Sequence, residues 1–182
     1  MHWSYCDITT VSDDALQSAY KNLSPSRKEH IDRLRRKEDK TRSLAGEILA
    51  QALLKEHYGI RTAKLHRHTS GQPYFSGCDL HISICHCDQM VACAISDKPV
   101  GMDIERIRPV NLKLCRHVCT PEEAEYVLGC EDDSAFRFFE VWTAKEAYFK
   151  KCGTGITDLK SVNILSLPRQ LHRVGDYLLQ IM

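Results

Sequence analysis

Two carboxylates stand two residues apart in the stretch Val100-Gly101-Met102-Asp103-Ile104-Glu105. In an extended strand, residues i and i+2 leave the same face, so Asp103 and Glu105 share one side while Met102 and Ile104 share the other. Like charges set side by side repel. A chain tolerates such a pair on a solvated edge strand, or uses it to hold a hard cation. Mg²⁺ takes one or two carboxylates together with phosphate oxygens and water. A second group has helical spacing: Trp142, Glu146 and Lys150 fall at i, i+4 and i+8, on one face of a helix. By themselves Glu146 and Lys150 are a surface ion pair worth ~0.3 kcal/mol. Opposite Asp103 and Glu105, Glu146 becomes a third carboxylate and Lys150 a counter-charge for phosphate.

A third feature is His86, within Ser83-Ile84-Cys85-His86-Cys87. With Cys115, His117 and Cys119 it invites a zinc reading. The spacing opposes it: on a strand Cys85 and Cys87 share a face from which His86 turns away, and the chain has no C-x-x-C knuckle. The nine cysteines read as small buried hydrophobes kept as thiols, since the first twenty residues carry no apolar export segment. Together these features point to the cytoplasm. Net charge is +1, too small a field for a long polyanion or a membrane surface. Lys21 to Arg42, however, carries nine basic residues against four acids, and marks a place for something anionic.

These residues need elements to hold them. Met1 to Thr10 reads as a strand. Ser12 caps a short helix through Tyr20, and Ser24-Pro25 starts another that carries Arg27, His30 and Ile31. A longer helix is predicted from Glu38 to His57, with Leu44, Ile48, Leu49, Ala52 and Leu53 as its apolar stripe and Gly59 as C-cap. Strands follow at 61–68, 80–85 and 90–95, the last two a hairpin around Asp88-Gln89, and then the Asp103 strand. Asn111 to His117 reads as helical. Thr120-Pro121-Glu122-Glu123 has the signature of a capping box, and Asp133-Ser134 opens a helix that runs to Lys151 and stops at Gly153. Val162–Leu165 and Tyr177–Met182 read as closing strands. Helices followed by strands, twice over, give an α+β fold of two halves, 1–99 and 100–182.

Several motifs now fall in order: Gly71-Gln72-Pro73-Tyr74, Ile84-Cys85-His86, Gly101-Met102-Asp103-Ile104-Glu105, Trp142 to Lys150, and Gly153-Thr154-Gly155. In series they resemble the 4′-phosphopantetheinyl transferases of the pseudo-dimeric, surfactin-synthetase-activating type. Leu23-Ser24-Pro25 through Arg42 to Gly46 is similar to that family's first block. The resemblance implies two pseudo-symmetric halves, each a small antiparallel sheet packed with a long helix, and a site in the cleft between them. It implies a monomeric enzyme that moves the phosphopantetheine arm of coenzyme A onto a serine of an apo acyl or peptidyl carrier protein, with release of adenosine 3′,5′-bisphosphate.

Carried over residue by residue, the resemblance makes Asp103, Glu105 and Glu146 the ligands of Mg²⁺. Asp103 also serves the coenzyme's pyrophosphate. Glu146, or a water it holds, becomes the base for the carrier serine, and Lys150 the partner of the phosphates. Glu123 becomes a further acid supporting the metal. Arg27, His30, Arg42 and His86 fall at the coenzyme's 3′-phosphate, with Gln72 and Cys85 beside them. Five positions depart from the family pattern. Gln72 stands for the Lys of G-K-P, Cys85 for the Ser before the histidine, Ser83 for the Asn two residues before that, His30 for a common Lys, and Thr154 for the Lys of G-K-G. Other readings remain open on the residues alone: another Mg²⁺-dependent phosphotransfer or nuclease fold using the same carboxylates, a degenerate member of the family, and a non-catalytic module that binds a carrier protein or nucleic acid through its basic segment.

Overall fold

The computed structural model describes residues 1–182, which divide into two compact units, Met1–Val100 and Gly101–Met182. The first opens with strand β1 (His2–Asp7) and three helices, α1 (Asp13–Asn22), α2 (Pro25–Arg33) and α3 (Lys37–Tyr58). Local chemistry sets their ends. Ser12 Oγ accepts from Ala15 N at 3.2 Å to cap α1, and Pro25 starts α2, where a missing N–H costs nothing. Gly59, at φ 67°, ends α3 in the left-handed conformation that residues with a Cβ rarely adopt. Strands β2 (Lys64–Arg67) and β3 (Pro73–Ser76) form a separate two-stranded ribbon, and β4 (His81–Cys87) and β5 (Met90–Ser96) form the predicted hairpin.

The main sheet of this unit is antiparallel, in the order β1-β5-β4. Helix α3 lies on it, with Ala45, Leu49, Ala50, Leu53 and Leu54 against Ile82, Val91, Cys93 and Ile95. Burying each leucine stabilises by about 2 kcal/mol. The buried stripe is rotated slightly from the predicted one: Ala52 is exposed, whereas Ala45, Ala50 and Leu54 are fully buried. Gly46 lets the helix close on the sheet, since a Cβ there would sit 3.0 Å from Ile84 Cγ2.

The second unit repeats the theme with fewer parts. Strand β6 (Met102–Arg106) leads to short helix α4 (Cys115–Val118), then α5 (Pro121–Leu128) and the long α6 (Ser134–Cys152). Helix α5 begins with a complete capping box: Glu123 N donates to Thr120 Oγ1 and Thr120 N donates to Glu123 Oε2. Gly153, at φ 70°, ends α6. The chain closes with hairpin β7 (Gln170–Val174) and β8 (Tyr177–Ile181), and the antiparallel sheet order is β6-β8-β7.

Two expectations need correction here. The stretch 162–165 is no strand: it folds into 3-10 turns at Leu159–Ser161 and Ile164–Ser166, because the side chains of Asp158 and Asn163 accept backbone N–H groups and favour turns over extension. Strand β7 was not expected. Its Gln170-Leu171-His172-Arg173-Val174 sequence is too polar to signal a strand, and it forms by pairing with β8. Elsewhere 111–117 is helical as expected, as a 3-10 turn running into α4. All nine cysteines are thiols outside any disulfide. No helix is long and apolar enough to cross a membrane.

Candidate active site

The second unit gathers four of the predicted residues. Asp103 pairs across the ladder with Gln180 of β8, so both side chains leave the same face. That face is covered by α6. Gln180 Nε2 donates to Glu140 O and, at 2.8 Å, to Thr143 Oγ1, which pins β8 under the helix. The carboxylate side of β6 is therefore not a solvated edge: Asp103 is 5% exposed and looks into the helix. Gly101 explains how the helix comes so close. A Cβ at this position would lie 1.8 Å from Ala147 O, so only glycine lets α6 pass over the start of β6.

Helical spacing does the rest. Trp142 Nε1 donates to Glu105 Oε1 at 3.2 Å, and two turns along Lys150 Nζ donates to Asp103 Oδ1 at 2.5 Å. Glu146 lies between them on the same face. The Asp103 carboxyl is pushed up to about 7: burial raises it most, Lys150 pulls against that, and Glu146 and Glu105 add to the rise. Burial likewise raises Glu146, against the pull of Lys150 and with the repulsion of Glu105. The three carboxylates thus feel one another, with a single ammonium among them.

This donor set fits a dication. Asp103 Oδ2 is buried and accepts no hydrogen bond, which is costly for a carboxylate oxygen and is relieved by a cation. Oxygen donors alone suit Mg²⁺ rather than zinc. As they stand, with Asp103 Oδ1 turned to Lys150, no three acidic side chains converge closely enough to coordinate an ion. Ligation would draw Asp103 away from the lysine.

Glu123 stands apart from the carboxylate cluster, in a buried pair of its own. It and Lys145 are both 0% exposed and form a salt bridge of 2.7 Å. Lys145 Nζ also donates to Leu159 O at 2.5 Å and Val162 O at 2.6 Å, and Glu123 Oε1 accepts from Ile164 N at 2.8 Å. Every strong polar group of this pair is spent on fixing α5 and the 3-10 turns to α6. The pair supports the helix that carries Glu146; its carboxylate is not offered to a metal.

The first unit gathers the basic residues. A cavity of about 340 Å³ is lined by His30, Arg42, Arg67, His86, Gly71 and Asp39, among others. Arg42 donates to Asp39 and, at 2.7 Å, to the Asp88 carbonyl. Arg27 is 4% exposed: its Nη2 donates to Ser43 Oγ at 3.0 Å and its Nε stands 3.8 Å from Glu47 Oε2. Burial, then Arg27, Arg67 and Arg33, hold His30 below the ordinary histidine pKa. His86 and Ile84 both line the cavity, and strand alternation sends Cys85 to the opposite face. There it is buried, and its Sγ lies 3.9 Å from the Ala92 carbonyl. Gln72 sits next to Gly71 in the β2–β3 turn, where its carbonyl accepts from His68 N at 2.9 Å. Arg67 was not anticipated from the sequence. It is one arginine in a stretch without periodic pattern, and only the fold sets it beside residues some forty positions earlier.

Comparison with known proteins bears on what these clusters are for. The profile of the 4′-phosphopantetheinyl transferase superfamily matches residues 99–178, and that of the 4′-phosphopantetheinyl transferase N-terminal region matches residues 10–98. The chain belongs to the 4′-phosphopantetheinyl transferase superfamily. It is similar to the 4′-phosphopantetheinyl transferase Sfp of Bacillus subtilis, with 27% identity over 87% of this chain and 71% of the relative. It is 34% identical to the transferase gsp of Aneurinibacillus migulanus, over 74% of this chain and 58% of the relative. With HetI of Nostoc it shares 26% identity over 87% of this chain and 71% of the relative. The two profiles divide the transferase chain close to the boundary between its two units.

Proposed function

We propose that this transferase moves the 4′-phosphopantetheine arm of coenzyme A onto a serine hydroxyl of an apo acyl or peptidyl carrier protein, with adenosine 3′,5′-bisphosphate as the other product. The observation that carries the reading is the cluster of Asp103, Glu105, Glu146 and Lys150 in a chain of this superfamily. Asp103, Glu105 and Glu146 are the residues that would hold Mg²⁺. When bound, the ion supplies positive charge to the pyrophosphate of the coenzyme.

The protein's own residues then have separable tasks. Lys150, released from Asp103, neutralises charge on the phosphate that leaves. Glu146 takes the proton of the carrier serine; burial raises its carboxyl toward the working pH, which suits a general base. The serine oxygen bonds to the phosphorus that bears the pantetheine. The bond from that phosphorus to the bridging oxygen breaks, and its electron pair departs on adenosine 3′,5′-bisphosphate. Such a transfer asks for positioning and charge neutralisation more than for covalent help.

Arg27, His30, Arg42 and His86 bind the coenzyme's 3′-phosphate, which carries up to two negative charges and three strong acceptor oxygens. Gln72 contributes from the adjoining turn, and Cys85 stands beside His86 in β4, on the strand's other face. Thiols outside any disulfide suit a reducing compartment, and we place the enzyme in the cytoplasm as a monomer. The test is to incubate the protein with coenzyme A, Mg²⁺ and an apo carrier protein, and to weigh the carrier by intact-mass spectrometry. The carrier gains one phosphopantetheine with the natural protein and none with Asp103→Ala or Glu146→Ala. Coenzyme binding without any gain across several carriers would make this a binding module instead.

A further inference from the structure

A second cavity, of about 530 Å³, lies within the first unit between α1, α3 and the start of β2. It is separate from the basic cavity: Arg27 donates to Ser43, which lines the basic one, and faces Glu47, which lines this one, so the Arg27–Glu47 pair stands between them. Three kinds of group line it. Ala15 and Ala19, one helical turn apart, keep α1 from filling the space, and Leu23, Ile48 and Leu65 complete an apolar wall. Arg61 and Lys64 are exposed cations on its edge. Lys64 Nζ makes one long contact, 3.5 Å to the Asn22 carbonyl, and its ammonium has three donors to offer. Glu47 is the opposite case. It is 7% exposed, and its Oε2 accepts no hydrogen bond. Arg27 Nε stands 3.8 Å from that oxygen, too far for one, and Gln51 Nε2 reaches the other oxygen only at 3.5 Å. A buried acceptor without a donor is costly, and a ligand that brings an O–H or N–H relieves it.

We infer that this cavity is a second ligand site, built for a small aliphatic hydroxy acid. A hydroxyl at one end donates to Glu47, a branched hydrocarbon body packs against the alanine and leucine wall, and a carboxylate at the other end meets Lys64 and Arg61. The alternatives fit less well. A cationic ligand would be repelled, because Arg27, Arg67 and Lys64 already act on Glu47. A purely apolar ligand would leave Glu47 Oε2 without a donor. The site draws on none of the groups assigned to the transfer reaction, and it stands independently of that reading.

The experiment is an amide chemical-shift titration of the purified full chain with pantoate, a hydroxy acid with a terminal hydroxyl, a dimethyl-substituted carbon and a carboxylate. Saturable shifts are expected at residues 15–24, 47–51 and 61–65, with a dissociation constant of about 5 mM or tighter for a ligand of this size. 3,3-Dimethylbutyrate, which lacks the hydroxyls, and pantolactone, which lacks the charge, should each bind at least about fivefold more weakly. Arg61→Gln combined with Lys64→Met should weaken pantoate to a similar extent. Ala19→Phe, which fills the cavity from α1, should abolish its binding, with a thermal melt to show that each variant is folded. If Ala19→Phe does not fold, the doubly substituted surface variant decides. No saturable shift with pantoate, shifts confined to other residues, or equal binding of pantoate and 3,3-dimethylbutyrate would overturn the inference. Calorimetric titration of the natural protein with coenzyme A keeps the two readings apart: its failure would count against the transferase and leave this site standing.

Discussion

Replacing Lys145 by methionine should destabilise the second unit severely while leaving the proposed chemical groups in place. Lys145 and Glu123 are both 0% exposed, so the pair has no solvent to fall back on. The ammonium uses all three of its N–H donors, on Glu123 Oε2 at 2.7 Å, Leu159 O at 2.5 Å and Val162 O at 2.6 Å. Methionine fills nearly the same volume, so the cavity cost is small. What remains is a buried carboxylate without its cation and two carbonyls without donors. Breaking one side of a buried pair costs about 3–5 kcal/mol. The stranded carbonyls add about 1 kcal/mol or more each where water cannot reach them. A total of roughly 5 kcal/mol corresponds to about 10–20 °C in Tm for a chain of this size.

Urea unfolding followed by circular dichroism measures this directly. Glu123→Gln together with Lys145→Met removes both charges, and should be less destabilised than the two single changes added together, by about 2 kcal/mol or more. A loss below 1 kcal/mol in Lys145→Met, or single changes that add within 0.5 kcal/mol, would refute the reasoning. Lys150, five residues along the same helix, is the contrast. Its side chain is 33% exposed, so Lys150→Met should cost less stability than Lys145→Met and should remove most of the activity.

Three further outcomes follow from the same geometry. Gly101→Ala places a Cβ 1.8 Å from Ala147 O, with backbone on both sides, and should cost at least about 3 kcal/mol in a thermal or urea melt. Mg²⁺ should raise the Tm of the natural protein but not that of Asp103→Asn, whose buried oxygen no longer gains from a cation, and Asp103→Asn should lose at least about a hundredfold in kcat/KM. His30 has its pKa lowered by burial and by Arg27, Arg67 and Arg33, whereas a bound phosphate favours its charged form. Coenzyme affinity measured by calorimetry should therefore strengthen as pH falls below 6.5, and less so in His30→Gln.

Much of the site could be read from spacing alone. Asp103 and Glu105 at i, i+2 and Trp142, Glu146 and Lys150 at i, i+4, i+8 do meet, because strand and helix periods fix which side chains share a face. Helix ends were equally legible, since Ser12, Thr120 and Gly153 act through contacts a few residues away. What could not be read depended on distant partners. The face of β6 that carries Asp103 looked like a wet edge until α6 was laid across it. Glu123 looked like a spare acid until Lys145, twenty-two residues later, took it up. Polar strand β7 exists only by pairing with β8, and Arg67 acquires its neighbours only through the fold. In 162–165 local side-chain bonds from Asn163 outweighed an apolar pattern that suggests a strand.

The proposed reaction exchanges one phosphorus–oxygen bond of coenzyme A for one to a carrier serine. Its most direct test follows both products in one time course: adenosine 3′,5′-bisphosphate by chromatography and the holo-carrier by intact mass, with the natural protein, coenzyme A and Mg²⁺. The two products should appear together in a one-to-one ratio, and neither should appear with a carrier whose serine is replaced by alanine. Release of the bisphosphate without a modified carrier, or no release with any carrier tried, would contradict it.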